Sequence, residues 1–122
     1  MQVLIVDDSQ IMRKIISTAL KKLGVNDTIE ASNGKEALDM VAKETNIGLV
    51  LMDWNMPVMT GIDAVKKMRA DGSKVPVVMV TTEAEKERVI EAIKSGANDY
   101  LIKPFNPKDI QTKLEKFLQA VK

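Results

Sequence analysis

The chain has 122 residues, 45% of them apolar, which suffices for one compact domain with its own core and leaves no room for two. Its 18 basic and 17 acidic residues cancel to +1, so neither a basic surface for nucleic acid nor a solvating acidic tail is indicated. The lack of cysteine and histidine removes disulfides, zinc sites and every thiol- or imidazole-based catalyst, leaving carboxylates, hydroxyls and lysines to carry any chemistry.

The apolar start, Met1 to Val6, has no basic leader and meets Asp7 and Asp8 too soon for an export signal or a membrane span, so a soluble cytoplasmic protein is expected. Val3 to Asp7 reads as a first strand. A helix follows Ser9 as N-cap, with Met12, Ile15, Ile16, Ala19, Leu20 and Leu23 on its inward face and Gly24 at its end. A second strand, Thr28 to Ala31, leads to a helix capped by Asn33, with Glu36 at the capping-box position and Ala37, Leu38 and Val41 inward. A third strand, Leu49 to Asp53, precedes a helix opened by Thr60 and answered by Asp63, with Val65 and Met68 inward. Val77 to Val80 forms the fourth strand, and Thr82 with Glu85 opens a helix expected to bury Val89, Ile90 and Ile93 before Gly96. The last unit is the strand Tyr100 to Ile102 and a helix started by Asn106, Pro107 and Asp109, burying Ile110, Leu114, Phe117 and Leu118.

Short apolar strands alternating with amphipathic helices imply an α/β fold, a doubly wound five-stranded parallel sheet flanked by five helices. Right-handed crossovers place helices on both faces, and ligands of such sheets bind at the carboxyl ends of the strands. Those ends carry Asp7 and Asp8, Asp53, Thr81, and Lys103 followed by Pro104. Three carboxylates brought together repel unless a divalent cation lies among them, and oxygen donors of this kind suit Mg²⁺. With Asp53 as a nucleophile toward phosphorus, Lys103, the Thr81 hydroxyl and Mg²⁺ are the groups available to neutralise the transferring phosphoryl group. The added charge of an acyl phosphate would draw Thr81 and Lys103 toward it and repack their loops.

The series Asp7-Asp8, Asp53, Thr81 and Lys103-Pro104 resembles the response-regulator receiver family over the whole chain, residues 1–122. The resemblance implies the strand order 2-1-3-4-5 of the flavodoxin-like fold. It implies direct Mg²⁺ ligation by Asp8 and Asp53, with Asp7 acting partly through water and the Asn55 carbonyl completing the set. A cis bond between Lys103 and Pro104 is implied as well. The stretches Asp53-Trp54-Asn55-Met56-Pro57 and Asp7-Asp8-Ser9-Gln10-Ile11-Met12-Arg13 are similar to the chemotaxis type, which stands alone without an effector domain.

For that type the resemblance implies a histidine kinase as phosphodonor, a flagellar motor switch protein as target, a possible phosphatase, and a monomer that binds neither nucleic acid nor membrane. Thr81 and Tyr100 would act as switch residues, Lys86, Tyr100 and Lys113 would mark the partner face, and Asn55 and Glu83 would shorten the phosphate's lifetime. The protein would catalyse its own phosphorylation and dephosphorylation without being a turnover enzyme. Two departures concern rates and partner: Ser9 replaces a bulky aromatic, and Thr82 replaces a smaller residue.

Three alternatives stay open at this level. An Asp-nucleophile phosphohydrolase shares the chemistry but resembles a pattern with two Asp one residue apart, plus a cap. A flavin-binding domain of this topology needs a Ser/Thr/Gly-rich phosphate loop where this chain has Asp7-Asp8-Ser9-Gln10. A receiver cut from a larger transcription regulator is the third.

Overall fold

The computed structural model describes residues 2–44, 46–54, 56–82, 86–103 and 107–121, with Thr82, Lys86, Arg88, Val89, Pro107, Lys116 and 118–121 described in backbone alone. Five strands, β1 (Gln2–Val6), β2 (Thr28–Ala31), β3 (Ile47–Asp53), β4 (Val77–Thr82) and β5 (Asp99–Lys103), alternate with five helices. These are α1 (Gln10–Lys22), α2 (Gly34–Lys43), α3 (Gly61–Ala70), α4 (Lys86–Lys94) and α5 (Pro107–Val121). The strands pair in parallel in the order β2-β1-β3-β4-β5, as expected.

Alternation along each strand divides the core in two, because successive side chains point to opposite faces. Leu4, Val6, Val50, Met52, Val77 and Met79 pack with Ala37 of α2, Val65 and Met68 of α3 and Ala92 of α4. Val3, Ile5, Leu49, Leu51, Val78 and Val80 pack with Ile16 and Leu20 of α1 and Ile110 and Leu114 of α5. The central strand β3 is buried on both faces from Leu49 to Asp53, so its near-continuous apolar run carries Asp53 out at the sheet's edge.

The first three helix starts are those read from the sequence. The Ser9 hydroxyl accepts the Met12 N–H at 3.2 Å, Asn33 Oδ1 accepts the Glu36 N–H at 2.9 Å, and Thr60 Oγ1 accepts the Asp63 N–H at 3.3 Å. Each bond satisfies an N–H that the helix itself cannot. Glu36 departs from a simple capping box: it takes the Ser32 hydroxyl and N–H rather than the Asn33 N–H. At the other end of α1, Gly24 adopts φ 89°, the left-handed conformation that a C-terminal glycine supplies without a Cβ clash.

Three inward assignments need correction. Ile15, Ile90 and Ile93 are 49%, 60% and 43% exposed, so none lies in the core. On α1 the stripe formed by Ile16, Ala19 and Leu20 is narrow, and Ile15 falls just outside it. On α4 the buried residue among the described side chains is Ala92, which packs on the β4 side while Ile90 and Ile93 face the outer surface. Strand edges also shift slightly. β1 ends at Val6, releasing Asp7 into the loop, and β3 begins at Ile47. The expectations for Glu85, Pro104 with its cis bond, Asn106 and the Val89 and Leu118 side chains fall outside the described residues and side chains. Among the described residues, no helix is long and apolar enough to cross a membrane.

Candidate functional site

The carboxyl ends of β1, β3, β4 and β5 bring together the residues that the sequence singled out. Asp7 and Asp53 are 2% and 7% exposed, whereas Asp8 faces solvent. One carboxylate oxygen from each of the three lies within 4.8 Å of the others. Lys103, on the last rung of β5, places its ammonium 3.3 Å from Asp7 Oδ2 and 3.2 Å from Asp53 Oδ1. Thr81 is buried near the end of β4, one rung beyond the Val80 that pairs with Asp53. The parallel register sets Thr81 opposite Ile102 and Thr82 opposite Lys103, so hydroxyl and ammonium come from neighbouring strands at the same edge.

The electrostatics follow from this crowding. Burial, with the like charge of Asp7 second, pushes the Asp53 carboxyl up to about 6, although Lys103 and the Trp54 N–H pull it down. Burial works against the Lys103 ammonium, but the Asp53 and Asp7 carboxylates outweigh it and hold its pKa above the ordinary lysine value. Among the described residues, one ammonium thus pairs with two of the three clustered carboxylates. An all-oxygen set of this span and charge fits a hard divalent cation such as Mg²⁺, which takes one or two carboxylates and keeps the rest of its shell for water or phosphate oxygens.

The loop after β3 is held tightly against this edge. Trp54 is buried, its N–H reaches the Val80 carbonyl at 3.3 Å, and its own carbonyl accepts the Gly61 N–H at 2.9 Å. Gly61 is required there: a Cβ would stand 2.2 Å from the Asp53 carbonyl oxygen and 2.9 Å from Met79 Cε. Met56 is buried and Met59 half-buried, so both serve as ordinary loop packing.

Tyr100 and Lys113 come together away from the carboxylates. The Lys113 ammonium lies 4.0 Å over the Tyr100 ring and 3.4 Å from Asp99 Oδ1, tying β5 to α5. Asn55 and Glu83 lie outside the described residues, and the Lys86 side chain is not described. Two residues with prominent roles were not singled out as site residues. Arg13 bonds the Asp7 carbonyl, and Arg69 of α3 bonds Gly96 and Asn98. Arg13 stands in the opening stretch already noted, on the first turns of α1 after Asp7, and that placement was a signal; Arg69 is 27 residues from Gly96 and gave none.

The model of the response regulator receiver domain matches residues 3–115. The chain belongs to the response regulator receiver family. A CheY homolog of Campylobacter jejuni is 46% identical over 120 residues, 97% of this chain and 92% of that protein. CheY1 of Helicobacter pylori is 45% identical over 97% of both chains. The solved chemotaxis protein CheY4 of Vibrio cholerae has 38% identity and a TM-score of 0.79, covering 99% of this receiver and 98% of its own chain. A Francisella receiver domain has 31% identity and a TM-score of 0.87 over 99% and 98%. The family resemblance and the fold drawn from the sequence are therefore both correct.

Proposed function

We propose that this receiver is a two-component response regulator of the chemotaxis type, phosphorylated on Asp53. The observation that carries this reading is the pairing of a buried carboxylate raised to about 6 with a lysine ammonium at 3.2 Å, beside two further aspartates. An Asp53 oxygen attacks the phosphorus of a histidine kinase's phosphohistidine; a P–O bond forms, the P–N bond breaks, and the imidazole leaves with a proton from solvent. Lys103 is placed to move from sharing the two carboxylates to neutralising the new phosphoryl oxygens, and the Thr81 hydroxyl to donate to one of them.

Asp8, Asp53 and the Asn55 carbonyl would hold Mg²⁺ directly and Asp7 partly through water; the ion supplies charge neutralisation of the phosphoryl group. Phosphorylation adds charge at Asp53, and the resulting pull on Thr81 and Lys103 reaches α4, β5 and α5 through the strands that carry them. Tyr100, Lys113 and Lys86 mark the responding face, whose target is a flagellar motor switch protein bound through a short amphipathic segment. Asn55 and Glu83 tune hydrolysis of the acyl phosphate, with a phosphatase as a further partner, in the cytoplasm. The cycle is self-phosphorylation and self-dephosphorylation rather than turnover of a substrate pool. CheY names among relatives at 44–46% identity support the chemotaxis assignment.

The test uses Trp54, the single tryptophan, which is buried next to Asp53 in the chain. Its fluorescence is followed as Mg²⁺ and then a small acyl phosphodonor are added, with intact mass measured in parallel. Two stepwise changes and a gain of one phosphoryl group, the gain absent in Asp53→Asn, are expected. A mass gain that persists in Asp53→Asn would move the acceptor elsewhere, and no gain in the native protein would end the reading.

A further inference from the structure

Asp7 is held at every polar group it has. Its N–H donates to the Ala31 carbonyl at 3.1 Å, Oδ1 accepts the Ser9 N–H at 2.8 Å, Oδ2 accepts Lys103, and its main-chain carbonyl accepts Arg13 Nη1 at 2.6 Å. Asp8, the next residue, is exposed, and its carboxylate has no hydrogen-bond partner among the described residues. The reach of the Asp8 carboxylate toward Asp53 is therefore set by the backbone on either side of it. That backbone is fixed before Asp8 at the Asp7 carbonyl and after it at the Ser9 N–H.

Arg13 is itself fixed. Its Nε donates to Glu30 Oε1 of β2 at 2.8 Å, and its side chain is only 15% exposed, so the planar guanidinium is clamped between strand and turn. We infer that Arg13 is a positioning residue for the divalent-cation site, orienting the Asp7–Asp8 peptide so that Asp8 meets Asp53. The inference rests on the Mg²⁺ part of the proposed function and adds a residue that touches neither the ion nor the phosphoryl group.

The sign of one measurement separates positioning from electrostatics. A guanidinium near a cation site repels the cation, so if Arg13 acted by charge its removal would tighten Mg²⁺ binding. If it acts by holding the peptide, its removal loosens Asp8 and weakens binding, as loss of outer hydrogen bonds around metal ligands does. The experiment is a Mg²⁺ titration of Trp54 fluorescence in the full chain, native and Arg13→Met, with hydrogen exchange of the Ser9 amide measured in metal-free protein.

Arg13→Met is expected to weaken Mg²⁺ binding about tenfold and to speed exchange at Ser9. Arg13→Lys, which keeps the charge but cannot fork between the Asp7 carbonyl and Glu30, should fall between. Glu30→Gln, a change at a largely exposed side chain, should weaken binding least, and it decides the matter should Arg13→Met fail to fold. Unchanged or tighter binding in these variants overturns the role of Arg13 while leaving the cation site intact. No Mg²⁺ response in the native protein overturns the site and the role together.

Discussion

At the carboxyl edge of the sheet, Asp7 and Asp53 are buried with one lysine between them, whereas toward the amino edge the half-buried Arg69 meets only neutral acceptors among the described residues. Arg69 Nε and Nη2 donate to the Gly96 carbonyl at 3.0 and 2.9 Å, Nη2 also reaches Asn98 Oδ1 at 3.0 Å, and Nη1 reaches the Ser73 carbonyl at 3.1 Å. Asn98 Oδ1 in turn accepts the Val77 N–H at 2.9 Å, so one guanidinium ties the end of α3, the end of α4 and the starts of β4 and β5. Burial lowers the Arg69 pKa, but its donors are matched to carbonyls of fixed direction. The two edges teach where this fold keeps its unrelieved charge. The amino edge is closed by hydrogen bonds, while the carboxyl edge retains a surplus of carboxylate that costs stability and suits a cation and a phosphoryl group.

The largest expected effect lies at the closed edge. Arg69→Met keeps much of the aliphatic stem but leaves the Gly96 and Ser73 carbonyls without this donor, and should destabilise the protein by about 2–3 kcal/mol. Urea unfolding measures this, and the Mg²⁺ response of Trp54 should be unaltered because the change sits at the far end of the strands. A variant of native stability would mean that the amino edge does not depend on its guanidinium, and the contrast between edges would lose one side.

The contrast also explains what could be read from the sequence. Strand existence, parallel pairing and the caps of α1, α2 and α3 depend on local pattern, and Ser9, Asn33 and Thr60 carry that pattern in their own side chains. The carboxyl-edge cluster was legible because each member ends a strand, so topology alone brings Asp7, Asp53 and Lys103 together. Arg69 was not legible, since its partners are the Gly96 and Ser73 backbone carbonyls, which every residue has, and an Asn98 side chain 29 residues away. Ile90 and Ile93 misled for a related reason: helical period marks an apolar face without saying whether the sheet or the outside receives it, and Ala92 took the sheet.

A smaller effect, opposite in sign, belongs to the open edge. The folded Asp53 carboxyl titrates at about 6 against 3.8 for an unperturbed one, so the native state holds a proton that the unfolded state has released. Stability of the metal-free protein therefore falls as pH rises from the unfolded value toward about 6, and it levels off above that. Asp53→Asn removes this dependence and should stabilise the metal-free protein at neutral pH by about 2 kcal/mol. Thermal melts across pH in a chelator measure it. A native protein with no such slope would mean that the carboxyl edge holds no unrelieved charge at Asp53.

The smallest effect sharpens the comparison within the open edge. Val58 has φ 70°, and the Met59 N–H donates to the Pro57 carbonyl at 2.8 Å, which together make a γ-turn around a β-branched residue. Such a turn is strained, and a branched Cβ worsens it. The Val58 side chain is 77% exposed, so packing does not compensate locally. The conformation is imposed by its neighbours, Met56 buried on one side and Gly61 bonded to Trp54 on the other. Val58→Gly relieves the steric strain but adds freedom to the unfolded chain, and the two nearly offset, leaving a net gain of about 0.5–1 kcal/mol. Gly72, which has φ 91° with open space around a Cβ position, provides the matching control: Gly72→Ala introduces the same strain and should lose a similar amount. Gain at one site and loss at the other would show that strain is stored in the loop after Asp53 and avoided at Gly72; a loss at both would mean that Val58 sits comfortably and that the cost of the open edge is purely electrostatic.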